Sequence, residues 1–425
     1  MWRTLLLGAS LGLLTFPGRL QAQHSPEPPR LLDDIRFLSD DGLQGRMTGS
    51  PGADSAAAYL ARRFSQVGLQ PAAGGWFQSF TIGREAPVSR QTQSGALLGK
   101  NVIGILPGSD PVLRNQTVVL GAHYDHLGRG GFGSLDPDST GQVHNGADDN
   151  ASGAAALIQV AARLAASPPA RTVVFIAFSG EELGLLGSAH YVKDPIYPLA
   201  STLAMVNLDM VGRLRNGRLI VYGARSAKEF PALLDSLNWY AGFDLKAQGD
   251  GYGPSDHSSF YAAKRPVLHL FTDLHEDYHR TTDDWQKVNY DGLKRVADFS
   301  LGLVTALANR TRPLTFLGQP HPTPAQTAAA TPGLPGYGAY LGTVPDMTGS
   351  PGGVRLVGVR AGSPAEKAGL RGDDIITRIG RTETPDLQAM TDALRSHKPG
   401  ETVEIVVRRG AAVTTLRAIL GTRGG

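Results

Sequence analysis

A three-layer α/β sandwich with a largely parallel central sheet, followed by a small C-terminal β-rich domain, is the fold predicted by this sequence of 425 residues. Three observations carry the prediction. Six short β-runs are apolar without interruption, as strands covered on both faces must be. Helical patterns lie between or beside them, the alternation that places a sheet between helical layers. A Pro/Ala/Thr-rich stretch with almost no charge, 312–336, then separates this region from a compact tail at 337–421.

The elements follow in chain order. Residues 1–22 begin with the basic MWR, run through the apolar LLLGASLGLLTF and end in GRLQA. A basic start, a short apolar core and a small final residue predict a secretory signal cleaved near Ala22, and so a periplasmic or secreted product. The apolar run is well short of the roughly 20 residues that cross a bilayer, and no later stretch reaches that length, so no membrane span is expected. QHSPEPPR, 23–30, reads as a Pro-rich tether. The large domain is expected over 31–311. Its strands are NVIGILPG (101–108), TVVLGAH (117–123), TVVFIAF (172–178), LAMVNLDM (203–210), RLIVYG (218–223) and RPVLHLFT (265–272). Its helices are DSAAAYLARRFSQVG (54–68), ASGAAALIQVAARLAAS (151–167), AKEFPALLDSLNWYAG (227–242) and YDGLKRVADFSLGLVTALANR (290–310).

Composition excludes several classes of function. The formal charge is +3, and removal of Arg3 and Arg19 with the signal leaves 39 of the 41 basic residues against 38 acidic ones. With no block of like charge, nothing points to nucleic acid or an acidic membrane surface. The absence of cysteine excludes disulfides, thiolate metal ligands and a lipid-anchored signal, and it is compatible with export.

Ligands of open α/β sheets gather outside the carboxyl ends of the strands. At those ends this sequence places His123, with Asp125 and His126 in HYDH; Glu181 and Glu182 after TVVFIAFSG; Asp209 after LAMVNL; and His279 closing HEDYH after the last strand. A fifth segment, NGADDNASG, sets Asp148, Asp149 and Asn150 before a helix. A lone histidine at a strand end is more often a hydrogen-bonded core residue, and an aspartate before a helix is usually a cap. Five such segments on one edge need a common cause. Acids and imidazoles at that density require a cation. The donors are all N and O, which suits Zn²⁺, with Mn²⁺ or Co²⁺ as alternatives. The carboxylates outnumber what one catalytic zinc takes, which favours two ions. Glu181 and Glu182 are adjacent and cannot both aim at one ion from a chain leaving a strand. One binds, and its neighbour is free to move a proton between water and a leaving amine.

AHYDHLG, NGADDNASG, SGEELGLLGS, NLDMVG, PSDHSSF and DYHRTTDD resemble, in order and spacing, the co-catalytic di-zinc aminopeptidases of secreted bacterial type, whose relatives include glutamate carboxypeptidases and glutaminyl cyclases. The likeness covers roughly 31–310. It implies that Asp149 bridges two zinc ions, that His123 and Asp209 hold one and Glu182 and His279 the other, and that Glu181 is the general base. It implies that Asp125 orients His123, a placement that i,i+2 spacing on an extended chain would favour. It also implies a cis peptide at Asp149–Asn150, a tyrosine, Tyr252, that hydrogen-bonds the oxyanion, and a supporting role for Ser255, Asp256 and His257. His126, His144 and His275 lie near the motifs and are weaker candidates for ligands. His190, on a helix, and His269, inside an apolar strand, are expected to be structural. Many larger members of the family carry an inserted domain between positions corresponding to Phe80 and Leu98; here the gap is too short for one. The Gly-rich loop 128–146 is expected to line the pocket.

In the tail, GVRLVGV, DDIITRIG, TVEIVVRR and VTTLRAIL surround a helical PDLQAMTDALRS. This order, with GSPAEKAGLRGDDIITRIG, resembles a PDZ domain of the type attached to periplasmic proteases. The resemblance implies a peptide C-terminus bound by the backbone of Tyr340, Leu341, Gly342 and Thr343; the alternative is a domain that only packs on the large one. The expected function is release of N-terminal amino acids from peptides. A carboxypeptidase or dipeptidase on the same scaffold is one alternative, and a PDZ-based adaptor with a vestigial hydrolase domain is another.

Overall fold

The computed structural model describes residues 30–84, 95–130, 133–134, 139–318, 339–345, 352–359, 362–385, 389–390, 393–394 and 396–421. The predicted signal, most of the predicted linker and part of the helix predicted over PDLQAMTDALRS lie outside them. Among the described residues no helix is long and apolar enough to cross a membrane.

The large domain is a nine-stranded mixed sheet between helical layers. Its strands are β1 (Gln70–Pro71), β2 (Phe77–Ile82), β3 (Leu97–Leu106), β4 (Thr117–His123), β5 (Thr172–Phe178), β6 (Thr202–Leu208), β7 (Arg218–Tyr222), β8 (Asp244–Gln248) and β9 (Val267–Phe271). At its centre β5, β4, β6 and β9 lie side by side and parallel. The flanks depart from the parallel pattern: β3 is antiparallel to β5, and β7 is antiparallel to β9. The central quartet is what matters for function, because it brings four strand ends to one edge.

The uninterrupted apolar runs divide strictly by alternation. On β4, Val118 and Leu120 join one core while Val119 joins another; on β5, Val173, Phe175 and Ala177 separate in the same way from Val174, Ile176 and Phe178. Two faces of one strand are thus both buried, which is why the sequence shows no polar alternation. The first core is covered by α1 (Leu31–Leu38), α2 (Pro51–Gln66), α3 (Gly153–Ala165), α5 (Phe230–Ala241) and α7 (Tyr290–Ala308). The second is covered by α4 (Leu186–Lys193) and α6 (His257–Ala262), through Tyr191, Phe260 and Tyr261.

The large domain continues past the predicted boundary at Thr311. Lys228 N–H donates to Thr315 O at 3.0 Å and Leu317 N–H to Ser226 O at 2.9 Å, forming a bridge in which Phe316 packs on Tyr261. The Pro-rich composition concealed this single aromatic anchor.

The tail forms a six-stranded antiparallel sheet in the order β10 (Thr343–Pro345), β11 (Val354–Val359), β12 (Ile375–Ile379), β14 (Thr402–Arg409) and β15 (Ala412–Ile419), with β13 (Thr382–Glu383) paired to β12. It has its own core, including Leu341, Leu356, Ile376, Ile379, Ile405 and Val407.

Candidate metal centre

The shared edge of the parallel quartet delivers the predicted cluster. His123 is the last residue of β4, Glu181 and Glu182 follow the end of β5, Asp209 follows β6, and His279 lies on the segment after β9. Asp149 reaches the same point from the irregular turn Ala147–Ser152 ahead of α3, and the Asp149–Asn150 peptide is cis, as the resemblance implied.

The two carboxylate oxygens of Asp149 face different imidazoles. Oδ1 lies 3.2 Å from His123 Nε2, and Oδ2 lies 3.2 Å from His279 Nε2. Asp209 Oδ1 is 3.3 Å from His123 Nε2, and Glu182 Oε2 is 3.1 Å from His279 Nε2. Donors about 2.05 Å from a tetrahedral zinc are separated by about 3.3 Å. In both triads, His123–Asp149–Asp209 and His279–Asp149–Glu182, the imidazole-to-carboxylate distances fall near that value, and Asp149 is common to the two; His126 with Asp149 and Glu182, and His123 with Glu181 and Glu182, also converge closely enough to hold an ion.

The rings are oriented to match. His123 Nδ1–H donates to the Asp125 carbonyl at 3.1 Å, and His279 Nδ1–H donates to the Gly133 carbonyl at 2.8 Å. Each leaves Nε2 turned toward the carboxylates. Gly133 belongs to the Gly-rich loop, so the expectation that this loop reaches the site is met at that residue. Asp125 differs from the sequence expectation. Its carboxylate lies 3.8 Å from His123 Nδ1, farther than its own carbonyl at 3.1 Å. The carboxylate instead accepts from Thr48 Oγ1 at 2.9 Å and from the Glu181 amide at 3.2 Å.

Electrostatics show how strongly the cluster calls for positive charge. Burial alone would lower the pKa of His123, yet Asp209, Glu181 and Asp149 hold it well above the usual range. Against the same penalty, Glu182 and Asp149 push His279 up to about 10. Burial works to raise Glu182, but His279 and His126 bring it down to about 2. Glu181 goes the other way. Removal from bulk water, with the charges of Glu182, Asp209 and Asp256 outweighing His123, holds it well above the ordinary carboxylate range. Adjacent glutamates thus have opposite characters, one an ionised donor and the other suited to hold a proton.

The remaining candidates separate by geometry. His126 Nδ1 is 2.7 Å from Glu182 Oε1, a hydrogen-bond distance, and 4.0 Å from Asp149 Oδ2, and the three groups converge closely enough to hold an ion. It is a partner of Glu182, a role the sequence reading missed although the second histidine of HYDH was its signal. His275 Nε2 bonds Asp148 Oδ2 at 3.1 Å, and His144 Nε2 bonds Ser134 Oγ at 2.9 Å. His190 stacks on Phe80, and His269 is a core residue whose pKa burial lowers to about 4. Tyr252 packs edge-on against Tyr261, and its amide donates to Asp250. Ser255 Oγ accepts from Asn207, His257 stacks on His269, and burial pushes the Asp256 carboxyl up to about 7. Asp283 was also missed. Its Oδ2 accepts from the amides of both Asp148 and Asp149, at 2.9 and 3.0 Å, and so fixes the turn that presents the shared carboxylate.

An α/β sandwich whose parallel strands end in converging imidazoles and carboxylates has the architecture of a metal-dependent hydrolase. Residues 101–304 match the sequence profile of peptidase family M28, and residues 339–420 match a PDZ domain. Residues 101–304 thus form a domain of the peptidase family M28 type, followed by a PDZ domain over 339–420. It is 32% identical over 280 residues to leupeptin-inactivating enzyme 1 of Streptomyces exfoliatus, spanning 64% of this chain and 56% of that enzyme. It is 28% identical over 231 residues to aminopeptidase YwaD of Bacillus subtilis, spanning 52% and 47%. The chain thus spans about half the length of the curated relatives it matches. Among solved structures, a Zn-dependent exopeptidase from Parabacteroides distasonis is similar with a TM-score of 0.55 at 20% identity, covering 67% of this chain and 99% of that one. The zinc aminopeptidase BSAP from Bacillus subtilis gives 0.51 at 18%, covering 67% and 97%. At such identities the likeness is one of fold.

Proposed function

We propose that the protein is a two-zinc aminopeptidase, exported and active on peptides. The observation that carries this reading is Asp149, whose two oxygens each stand 3.2 Å from a different imidazole. The relatives named above as aminopeptidase and zinc enzymes support it. Bound zinc would polarise the scissile carbonyl and make water a nucleophile at neutral pH. Glu181 accepts the proton of the attacking water and returns it to the leaving amine, the role its raised pKa suits. Asp125 holds the Glu181 backbone in place for that transfer. Tyr252 is proposed, from the resemblance, to donate to the oxyanion, and Tyr252→Phe should lower kcat more than it changes KM. The test of the whole reading is metal analysis together with release of p-nitroaniline from aminoacyl p-nitroanilides. About two zinc ions per chain with release are expected; release only from C-terminally cleaved substrates would transfer the reading to a carboxypeptidase.

The side chain accepted is proposed to be apolar. Met210, Ile220 and Phe271 form a small cluster with Tyr222, Leu274 and Tyr278 at its edge. Met210 directly follows Asp209, and the ring of Tyr278 stacks on His279 with centroids 3.9 Å apart, so the cluster borders both triads. Burying one apolar side chain is worth about 1.5–3 kcal/mol. Leucine p-nitroanilide should therefore exceed the glutamate and lysine derivatives in kcat/KM by at least about tenfold; equal rates would remove the assignment.

For the PDZ domain, the carboxylate loop is proposed at Leu341, Gly342 and Thr343. Tyr340 is left out because its N–H and C=O both pair with Gly421, each at 2.8 Å. Gly342 has φ +85° and a Cβ there would lie 2.3 Å from that of Ser363, so a tight, glycine-dependent turn precedes β10. A fluorescent peptide with a free C-terminus should bind the full chain, and amidation of its carboxylate should abolish binding. Equal binding of both would argue against this pocket.

A further inference from the structure

The segment Gln44–Thr48 lies ahead of α2, before residue 101, where the family match begins. It takes an improbable path: Gln44, Gly45 and Arg46 all have left-handed backbones, with φ of 53°, 71° and 49°. Two non-glycine residues in that region carry steric strain, and such strain persists only where the surroundings enforce it. Here they do. A Cβ on Gly45 would lie 2.2 Å from Gly128 O, and the Gly128 and His126 amides donate to Gly45 O and Arg46 O.

The path buries Arg46 completely. Its guanidinium donates to four carbonyls on three separate parts of the chain: Tyr124 at 2.7 Å, Asn145 at 2.6 Å and its neighbour Gly146 at 3.0 Å, and Leu38. Tyr124 sits between His123 and Asp125, and Asn145 and Gly146 lead into the turn carrying Asp149. One side chain therefore ties the strand end bearing one donor to the turn bearing the shared carboxylate. Burial draws the pKa of Arg46 down to about 10, so it remains a cation at neutral pH, facing Asp125 and Asp149. Two residues on, buried Thr48 donates to Asp125 Oδ2 at 2.9 Å and lies 3.1 Å from Ser179 Oγ, while Asp125 Oδ1 accepts from the Glu181 amide.

We infer that Gln44–Thr48 is a positioning element of the active site with two separable effects: Arg46 sets the spacing of the metal donors, and Thr48, through Asp125, sets the place of Glu181. The inference rests on the two-zinc reading above. Lysine cannot replace Arg46, since one ammonium with three protons cannot serve four carbonyls on three segments. Valine keeps the shape of Thr48 and removes only the hydroxyl.

The experiment compares wild type, Arg46→Lys, Thr48→Val and Thr48→Ser for zinc affinity by chelator competition and for kcat and KM on leucine p-nitroanilide, with circular dichroism as a check on folding. Outer partners of metal sites typically contribute 10–100-fold. Arg46→Lys should weaken zinc binding by about that factor. Thr48→Val should keep its zinc, keep KM and lose about tenfold in kcat, and Thr48→Ser should restore it. Combined with Asp125→Asn, Thr48→Val should add nothing further, because the two act through one contact. Wild-type zinc affinity in Arg46→Lys together with wild-type kcat in Thr48→Val overturns the inference. A wild type that binds zinc without turnover overturns the aminopeptidase reading instead, and the zinc affinity of Arg46→Lys then decides this one. Should Arg46→Lys fail to fold, the kcat of Thr48→Val decides it.

Discussion

Glu181→Gln should lower kcat by roughly 10²–10⁴, the range for loss of a positioned general acid–base, while zinc content and KM stay close to wild type. The separation follows from geometry. Glu181 makes none of the contacts that link the five proposed donors, although it converges with His123 and Glu182, so removing its charge should leave those five in place. Its neighbour Glu182, 3.1 Å from His279 Nε2 and proposed as a donor, should behave in the opposite way, losing metal along with activity. Glutamine keeps the shape of Glu181 and relieves its repulsion with Glu182, Asp209 and Asp256, the interactions that hold its pKa up. The folded protein should therefore be no less stable to heat. A Glu181→Gln protein that loses one zinc in parallel with its turnover would show that Glu181 is a ligand and that the division of labour between the glutamates is wrong.

The second large effect is expected at Asp149. Asp149→Ala should reduce zinc from about two ions per chain to less than one and abolish turnover, whereas Asp209→Ala should lose a single ion. The reason is that Asp149 offers one oxygen to each triad and Asp209 serves only one. The same difference should be visible in stability. A ligand that binds only the native state adds RT ln(1 + [L]/Kd), about 2.7 kcal/mol at a hundredfold excess over Kd. Added zinc should raise the Tm of chelator-treated wild type by several degrees, and that of Asp149→Ala much less. Two ions retained at wild-type affinity in Asp149→Ala would rule out a shared carboxylate.

The sequence alone was sufficient for the scaffold and for the side chains that meet at its edge. Runs such as TVVLGAH and TVVFIAF announce strands buried on both faces, and the rule that ligands collect at the carboxyl edge of such strands led directly to His123, Glu181, Glu182 and Asp209. Those signals are local, carried by a strand and the residues that leave it. Asp125 was placed beside His123, but not the atom it presents: its carbonyl lies 3.1 Å from Nδ1 and its carboxylate 3.8 Å.

What only the tertiary structure decided were relations between segments far apart in sequence. That His126 bonds Glu182 Oε1 at 2.7 Å while His279 stands 3.1–3.2 Å from Glu182 and Asp149 is encoded by no spacing within HYDH or HEDYH. The roles of Asp283, Thr48 and Arg46 were illegible for the same reason. Arg46 reaches Gly146 across a hundred positions of sequence, and a lone arginine in LQGRMTGS has no periodicity or motif to announce it. Periodicity reports which face of an element is buried. The partners of a polar group buried there exist only once distant backbone carbonyls and carboxylates have been brought around it, because a buried charge is tolerated only where the fold supplies its hydrogen bonds.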